Sequence, residues 1–155
     1  MRALKPVVFS LCLLPFGWLV YAAGTNALAP DPAESIMHLT GEWSLRILLV
    51  TLAVSPVRKI WGWRWPMTLR RMLGLFAFFY ATVHLASFGH FYIGWTPAIL
   101  VEELVERPYI TVGALAWVLM LPLAVTSTRK MQRRLKRNWR RLHRAVYPVA
   151  MLACL

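Results

Sequence analysis

The chain has 155 residues, 59% of them hydrophobic, and a formal net charge of +12 from 18 Lys+Arg against 6 Asp+Glu. That length suits one domain, but the apolar share exceeds that of an ordinary soluble domain. With only 15% charged residues, a soluble core and a broad basic binding surface are hard to build together, so the apolar and basic residues must occupy separate stretches.

In chain order they do. Apolar stretches run over 7–23, 43–57, 72–88, 109–127 and 145–155. With their flanks the first four reach the roughly 20 apolar residues a membrane helix needs; the second is the weakest, with Arg46 and Pro56 near its ends. The fifth stops at Leu155 after 11 residues, about half a bilayer, and is either re-entrant or continued beyond this sequence. The first stretch is long for a cleavable signal peptide, and no clear small-residue cleavage site follows it. The fold expected is an all-α polytopic membrane bundle, a single domain over 1–155, with four full spans and a fifth cut short.

The charges between the stretches set the orientation. Arg2 and Lys5 precede the first; 24–42 carries Asp31, Glu34 and Glu42 and no base; 58–71 carries Arg58, Lys59, Arg64, Arg70 and Arg71 and no acid. Segment 89–108 has Glu102, Glu103 and Glu106 with Arg107 alone, and 128–144 has nine bases and no acid. Sixteen of the 18 bases fall on alternate segments and all six acids on the others. Lys/Arg-rich loops stay cytoplasmic, which puts the N-terminus inside. The basic run could bind nucleic acid or anionic lipid; its place between apolar stretches reads first as a topology-setting cytoplasmic loop that also lies on acidic headgroups, and nucleic acid is not expected as a partner.

Cys12 and Cys154 lie in apolar stretches and suggest neither a disulfide framework nor a thiolate metal site. There is no Cys-x-x-Cys-His, which excludes covalently attached c-type haem, and no phosphate-binding or hydrolase motif. The chemistry rests on ionisable groups at membrane depth, which are functional candidates by default. His84 lies 13 residues after Arg71, about 20 Å along the helix. Arg70 and His84 fall within about 40° of each other at about 100° per residue. Between them one stripe carries Gly74, Ala77 and Ala81, flanked by Leu73, Phe76, Phe78, Phe79 and Tyr80. Such a stripe suits either a flat macrocycle approaching the backbone or close helix packing. His143 stands among Arg140, Arg141 and Arg144, while His38 and His90 lie at the outer interface.

The runs 71–84 (RMLGLFAFFYATVH), 107–113 (RPYITVG), 121–129 (LPLAVTSTR) and 139–147 (WRRLHRAVY), with 40–43 (TGEW) and 52–58 (LAVSPVR), resemble the MsrQ family over nearly the whole chain. The resemblance implies a ferric-reductase-like transmembrane fold and a haem b-binding subunit of the bacterial inner membrane. Such a subunit passes electrons from a cytoplasmic-side donor, a reduced flavin or a quinol, to MsrP, a periplasmic molybdopterin enzyme that reduces methionine sulfoxide in oxidised proteins. It assigns His84 and His143 to haem iron, with one or two haems, and admits FMN and quinone as further cofactors that no motif places. Arg70 stands where the superfamily typically has a second histidine on this helix, so either it would meet the inner haem iron or a propionate, or that site has one protein ligand; Gly74, Ala77 and Ala81 would give the haem room. His38 and His90 are read as outer-surface residues, with contact to haem propionates or to the partner as the lesser alternative. The family's second histidine on the fifth helix would fall just beyond Leu155, which implies that the natural chain continues. On this reading the chain is an electron-transfer subunit and not itself the catalytic one. The competing reading is a haem-free transporter subunit or assembly factor.

Overall fold

The computed structural model describes residues 4–25, 27–28, 30–63 and 65–154, without the side chains of Arg129 and Arg140. The bases Arg2 and Arg64 and the terminal Leu155 therefore lie outside the described residues. Among the described residues every regular element is helical. The chain divides into two compact units, Met1–Tyr92 and Ile93–Leu155.

The first unit begins with α1, Leu4–Gly24, and α2, Pro32–Trp61. Helix α2 is much longer than its apolar core because its caps lie outside that core. The Asp31 carboxylate accepts from the Ala33 and Glu34 amides at 2.9 and 3.1 Å, and Pro32 supplies a first-turn φ with no donor to satisfy. At the other end Gly62, at φ 69°, returns its N–H to the Arg58 carbonyl, a left-handed cap that glycine adopts without Cβ strain. Within α2, Glu42 and Arg46 pair one turn apart. A 3-10 turn, Trp65–Thr68, leads into α3, Arg70–Phe88, which runs on through a π-helical turn, Gly89–Ile93.

Small residues bring α2 and α3 together. A Cβ on Gly74 would sit 3.7 Å from the Thr51 methyl, Ala77 is fully buried, and the Ser44 hydroxyl donates to the Ala77 carbonyl at 3.1 Å. Ile47, Leu48, Val54, Leu73 and Phe76 are buried in the same unit. Helix α1 is fixed by edge-on aromatic pairs, Phe9–Phe76 and Phe16–Phe79, and by Tyr80. Pro15 removes a backbone donor from α1. One residue on, the fully buried Tyr80 accepts from the Phe16 amide at 3.0 Å and donates to the Cys12 carbonyl at 2.8 Å. Those two backbone groups are the pair an unbroken helix ladder joins directly.

The second unit contains α4, Pro97–Glu106; α5, Pro108–Val125; α6, Arg129–Leu142; a 3-10 turn, His143–Ala145; and α7, Val146–Ala153. Its buried residues include Ala116 and Met120 of α5 and Val149 and Ala150 of α7. The Thr111 hydroxyl donates to the Leu104 carbonyl, linking α5 to α4. The segments expected to be loops at 89–108 and 128–144 thus contain helices of their own: Thr96-Pro97 opens α4, and the Thr128 hydroxyl caps α6 by accepting from the Met131 amide.

Three segments, Leu4–Gly24, Arg70–Ile93 and Pro108–Val125, are long and apolar enough to cross a membrane. They correspond to the first, third and fourth stretches of the sequence. Helix α2 is long enough, but Glu42 and Arg46 dilute its apolar run. Replacing Tyr80 with Phe strands the Phe16 amide and the Cys12 carbonyl, and is expected to cost about 1–3 kcal/mol. Thermal unfolding of the detergent-solubilised chain reads this as a lowered midpoint, and an unchanged midpoint contradicts the bridging role.

Candidate functional site

His84 sits one helical turn beyond Tyr80, half-buried and turned towards α2. Its Nδ1 lies 3.0 Å from the Met37 carbonyl and 3.4 Å from the Thr40 hydroxyl oxygen. Thr40 is fully buried and donates its own proton to the Ile36 carbonyl at 2.7 Å. Two acceptors therefore face Nδ1, which makes it the protonated nitrogen of the neutral ring and leaves the lone pair on Nε2. Among the described residues no hydrogen bond engages Nε2.

The ring lies almost on the α2 backbone, and Gly41 permits this. An ideal Cβ at Gly41 would fall 3.1 Å from Cε1 and 3.2 Å from Nδ1 of His84, tighter than nine in ten real Cβ contacts, so the ring would have to give way. In the sequence Gly41 falls in the segment 24–42, ahead of the second apolar stretch, where nothing marks it as a helix residue. Within α2 a glycine costs about 1 kcal/mol relative to alanine, and the approach of the His84 ring is the local reason for it. The π-helical turn at Gly89–Ile93 begins five residues after His84, and such turns are frequent beside functional sites.

The other expected residues fall as follows. Arg70 is the half-buried first residue of α3, and Arg71 beside it is exposed. Gly74 and Ala77 lie in the seam with α2, and Ala81 is half-buried on the next turn. Gly74 and Ala77 of the stripe legible in the sequence are thus part of the surface on which α2 rests. His38 is exposed and lies 3.7 Å from Glu34, and exposed His90 meets Phe91 edge-on.

In the second unit, His143 opens the turn between α6 and α7. Its Nδ1 lies 3.2 Å from the Trp139 carbonyl, and its ring stacks on the Trp139 indole with centroids 4.0 Å apart. The indole N–H in turn donates to the Thr126 carbonyl at 3.0 Å, so the imidazole is oriented by a chain of contacts reaching the end of α5. Both candidate histidines therefore direct Nδ1 at a backbone carbonyl, the arrangement that fixes the orientation of a ligating imidazole.

Among the described residues no group of three or more His, Cys, Asp or Glu could hold a bare metal ion. Cys12 is buried and Cys154 exposed, both as free thiols.

Residues 11–154 match the family model described as ferric reductase like transmembrane component, which defines the class: a helical, ferric-reductase-like membrane protein. Within it, the MsrQ protein of Xanthomonas axonopodis pv. citri (strain 306) is 48% identical over 161 residues, covering 99% of this chain and 73% of that protein. The MsrQ protein of Herminiimonas arsenicoxydans is 45% identical over 153 residues, covering 98% and 70%. Both carry the name protein-methionine-sulfoxide reductase heme-binding subunit MsrQ. The chain belongs to the MsrQ family. No solved structure matches it.

Gly41→Ala places a methyl group where the His84 ring lies and is expected to displace the imidazole, with an overpacking cost of about 1–3 kcal/mol. Nitrogen NMR of labelled histidine then shows His84 leaving the fixed Nδ1–H tautomer. An unchanged His84 signal would mean that the close approach of Gly41 does not hold the ring.

Proposed function

We propose that this chain is the haem b-holding electron-transfer subunit of a bacterial inner-membrane system serving a periplasmic, MsrP-type molybdoenzyme that reduces methionine sulfoxide in oxidised proteins. The observation that carries this reading is His84: an imidazole at membrane depth, held by Met37 and Thr40 so that Nε2 keeps its lone pair. The printed names of the relatives, which call them heme-binding subunits of such a reductase, support it.

The donor chemistry fits haem b. Haem brings its own nitrogen donors, so His84 and His143 would be enough to hold its iron, without the multi-residue cage a bare ion requires. Bound haem supplies a one-electron iron couple whose potential follows axial ligation, hydrogen bonding and burial. The chain's own residues control those variables. The Met37 carbonyl draws on the Nδ1–H of His84, which raises the basicity of Nε2 and fixes the ring plane. Gly41 lets that ring lie against α2, and Gly74 and Ala77 bring α2 close enough for the Met37 carbonyl to reach it. His143, oriented by Trp139, would hold haem iron on the cytoplasmic side, apart from the outer site at His84. Arg70 carries a charge suited to a haem propionate.

The membrane orientation proposed is N-terminus inside, with several spans and with the basic segments on the cytoplasmic side. That side is where a reduced flavin or a quinol would deliver electrons. The acidic outer segments face the periplasmic partner.

An absorption spectrum of the haem-supplied chain tests the reading. The expected result is a Soret band and, after dithionite, the sharp bands of b-type haem. His84→Ala is expected to lose haem absorbance, and His143→Ala to lose reduction by a cytoplasmic-side donor. A haem-supplied preparation with no Soret band would overturn the proposal in favour of a haem-free membrane protein. Haem content and donor reduction unchanged in His143→Ala would remove the assignment of the second site.

A further inference from the structure

Helix α6 carries a row of exposed cations that nothing in the proposed electron path uses. Met131 and Leu135 lie before a backbone break at Lys136 and Trp139 and Leu142 after it, each pair at helical spacing, and all four are half-buried. The cations Lys130, Arg133, Arg134, Lys136, Arg137 and Arg141 are exposed. The bond from the Trp139 indole to the Thr126 carbonyl ties the second of these pairs to the end of α5. No acid follows Glu106 in the sequence. Among the described residues the ion pairs involve only Glu34, Glu42 and Glu103, so no carboxylate answers the positive face of α6.

The backbone adds a second observation. Lys136, at φ 44° and ψ −113°, is non-helical in the middle of α6, a conformation that costs a non-glycine residue energy. A helix of closely spaced like charges is self-repelling, and a break at its centre is where that repulsion and the broken ladder meet. The element gains most from a layer of negative charge laid along it.

We propose that the exposed face of α6 is a docking surface for anionic phospholipid headgroups at the bilayer edge. Charge complementarity favours an anionic occupant, and the chain's continuity identifies it as lipid. Helix α6 begins four residues after α5, which is long and apolar enough to cross a membrane, and apolar α7 follows at Val146. A helix tethered at both ends to apolar segments lies in the headgroup plane. Its pattern, exposed cations with half-buried Trp, Leu and Met, is that of an interfacial helix. The inference does not depend on haem.

The test uses the full chain reconstituted in lipid nanodiscs of phosphatidylcholine alone or of phosphatidylcholine mixed with phosphatidylglycerol, with hydrogen exchange followed at the amides of 129–142. Exchange is expected to be about tenfold slower in the anionic discs, with the difference abolished by about 0.5 M salt. The combined variant Arg133→Gln, Arg134→Gln, Arg137→Gln and Arg141→Gln is expected to lose the difference while the amides of 70–88 keep wild-type protection, which shows that the fold survives. Equal exchange of α6 in the two discs overturns the proposal. So does protection that appears only when a soluble acidic protein or an RNA is added to the phosphatidylcholine discs.

Discussion

The contact between the His84 imidazole and the Met37 carbonyl is the constraint that organises the first unit. A ring nitrogen can reach a backbone carbonyl of a neighbouring helix only where the two helix axes come unusually close. Gly41 gives up its side chain directly under the ring, and Gly74 and Ala77 thin the seam further along. Ser44 uses the same closeness to reach the Ala77 carbonyl. Each of these is a concession of apolar bulk, which in a membrane is inexpensive because lipid already surrounds the outer faces.

Much of the architecture was legible because a bilayer imposes simple rules. Helices α1, α3 and α5 stand out as apolar runs, and the segregation of acids from bases marks the loops between them. The true length of α2 was obscured by Glu34, His38 and Glu42, which make its first third look like a loop. Its caps, Asp31-Pro32 and Gly62, were readable one residue at a time but lay outside the apolar run. Helices α4 and α6 were hidden for a related reason: both are polar enough to pass for connecting chain, and only the helical spacing of the apolar pairs in α6 would have exposed it.

The site was half legible. His84 is conspicuous as an ionisable residue inside a span, and the small stripe between Arg70 and His84 is visible from periodicity. What that stripe faces is not written in its own helix, since small residues suit a helix neighbour as well as a flat cofactor. The packing of Gly74 on Thr51 shows that α2 takes up the seam. Met37, Thr40 and Gly41 could not be found by residue chemistry, because two of the groups that matter are a main-chain carbonyl and a missing Cβ. Such contributions belong to any sequence position until the fold brings one of them against a ring.

Tyr80 has a consequence for the order in which the molecule is made. The Phe16 amide and the Cys12 carbonyl belong to the first helix synthesised, yet the hydroxyl that joins them lies 64 residues beyond Phe16. Hydrocarbon offers no water to stand in for it. The first helix is therefore completed by the third, and its final form is reached only when α3 has entered the bilayer beside it. The same event sets α3, and with it the turn that carries His84, so insertion of the chain and assembly of its site are one step.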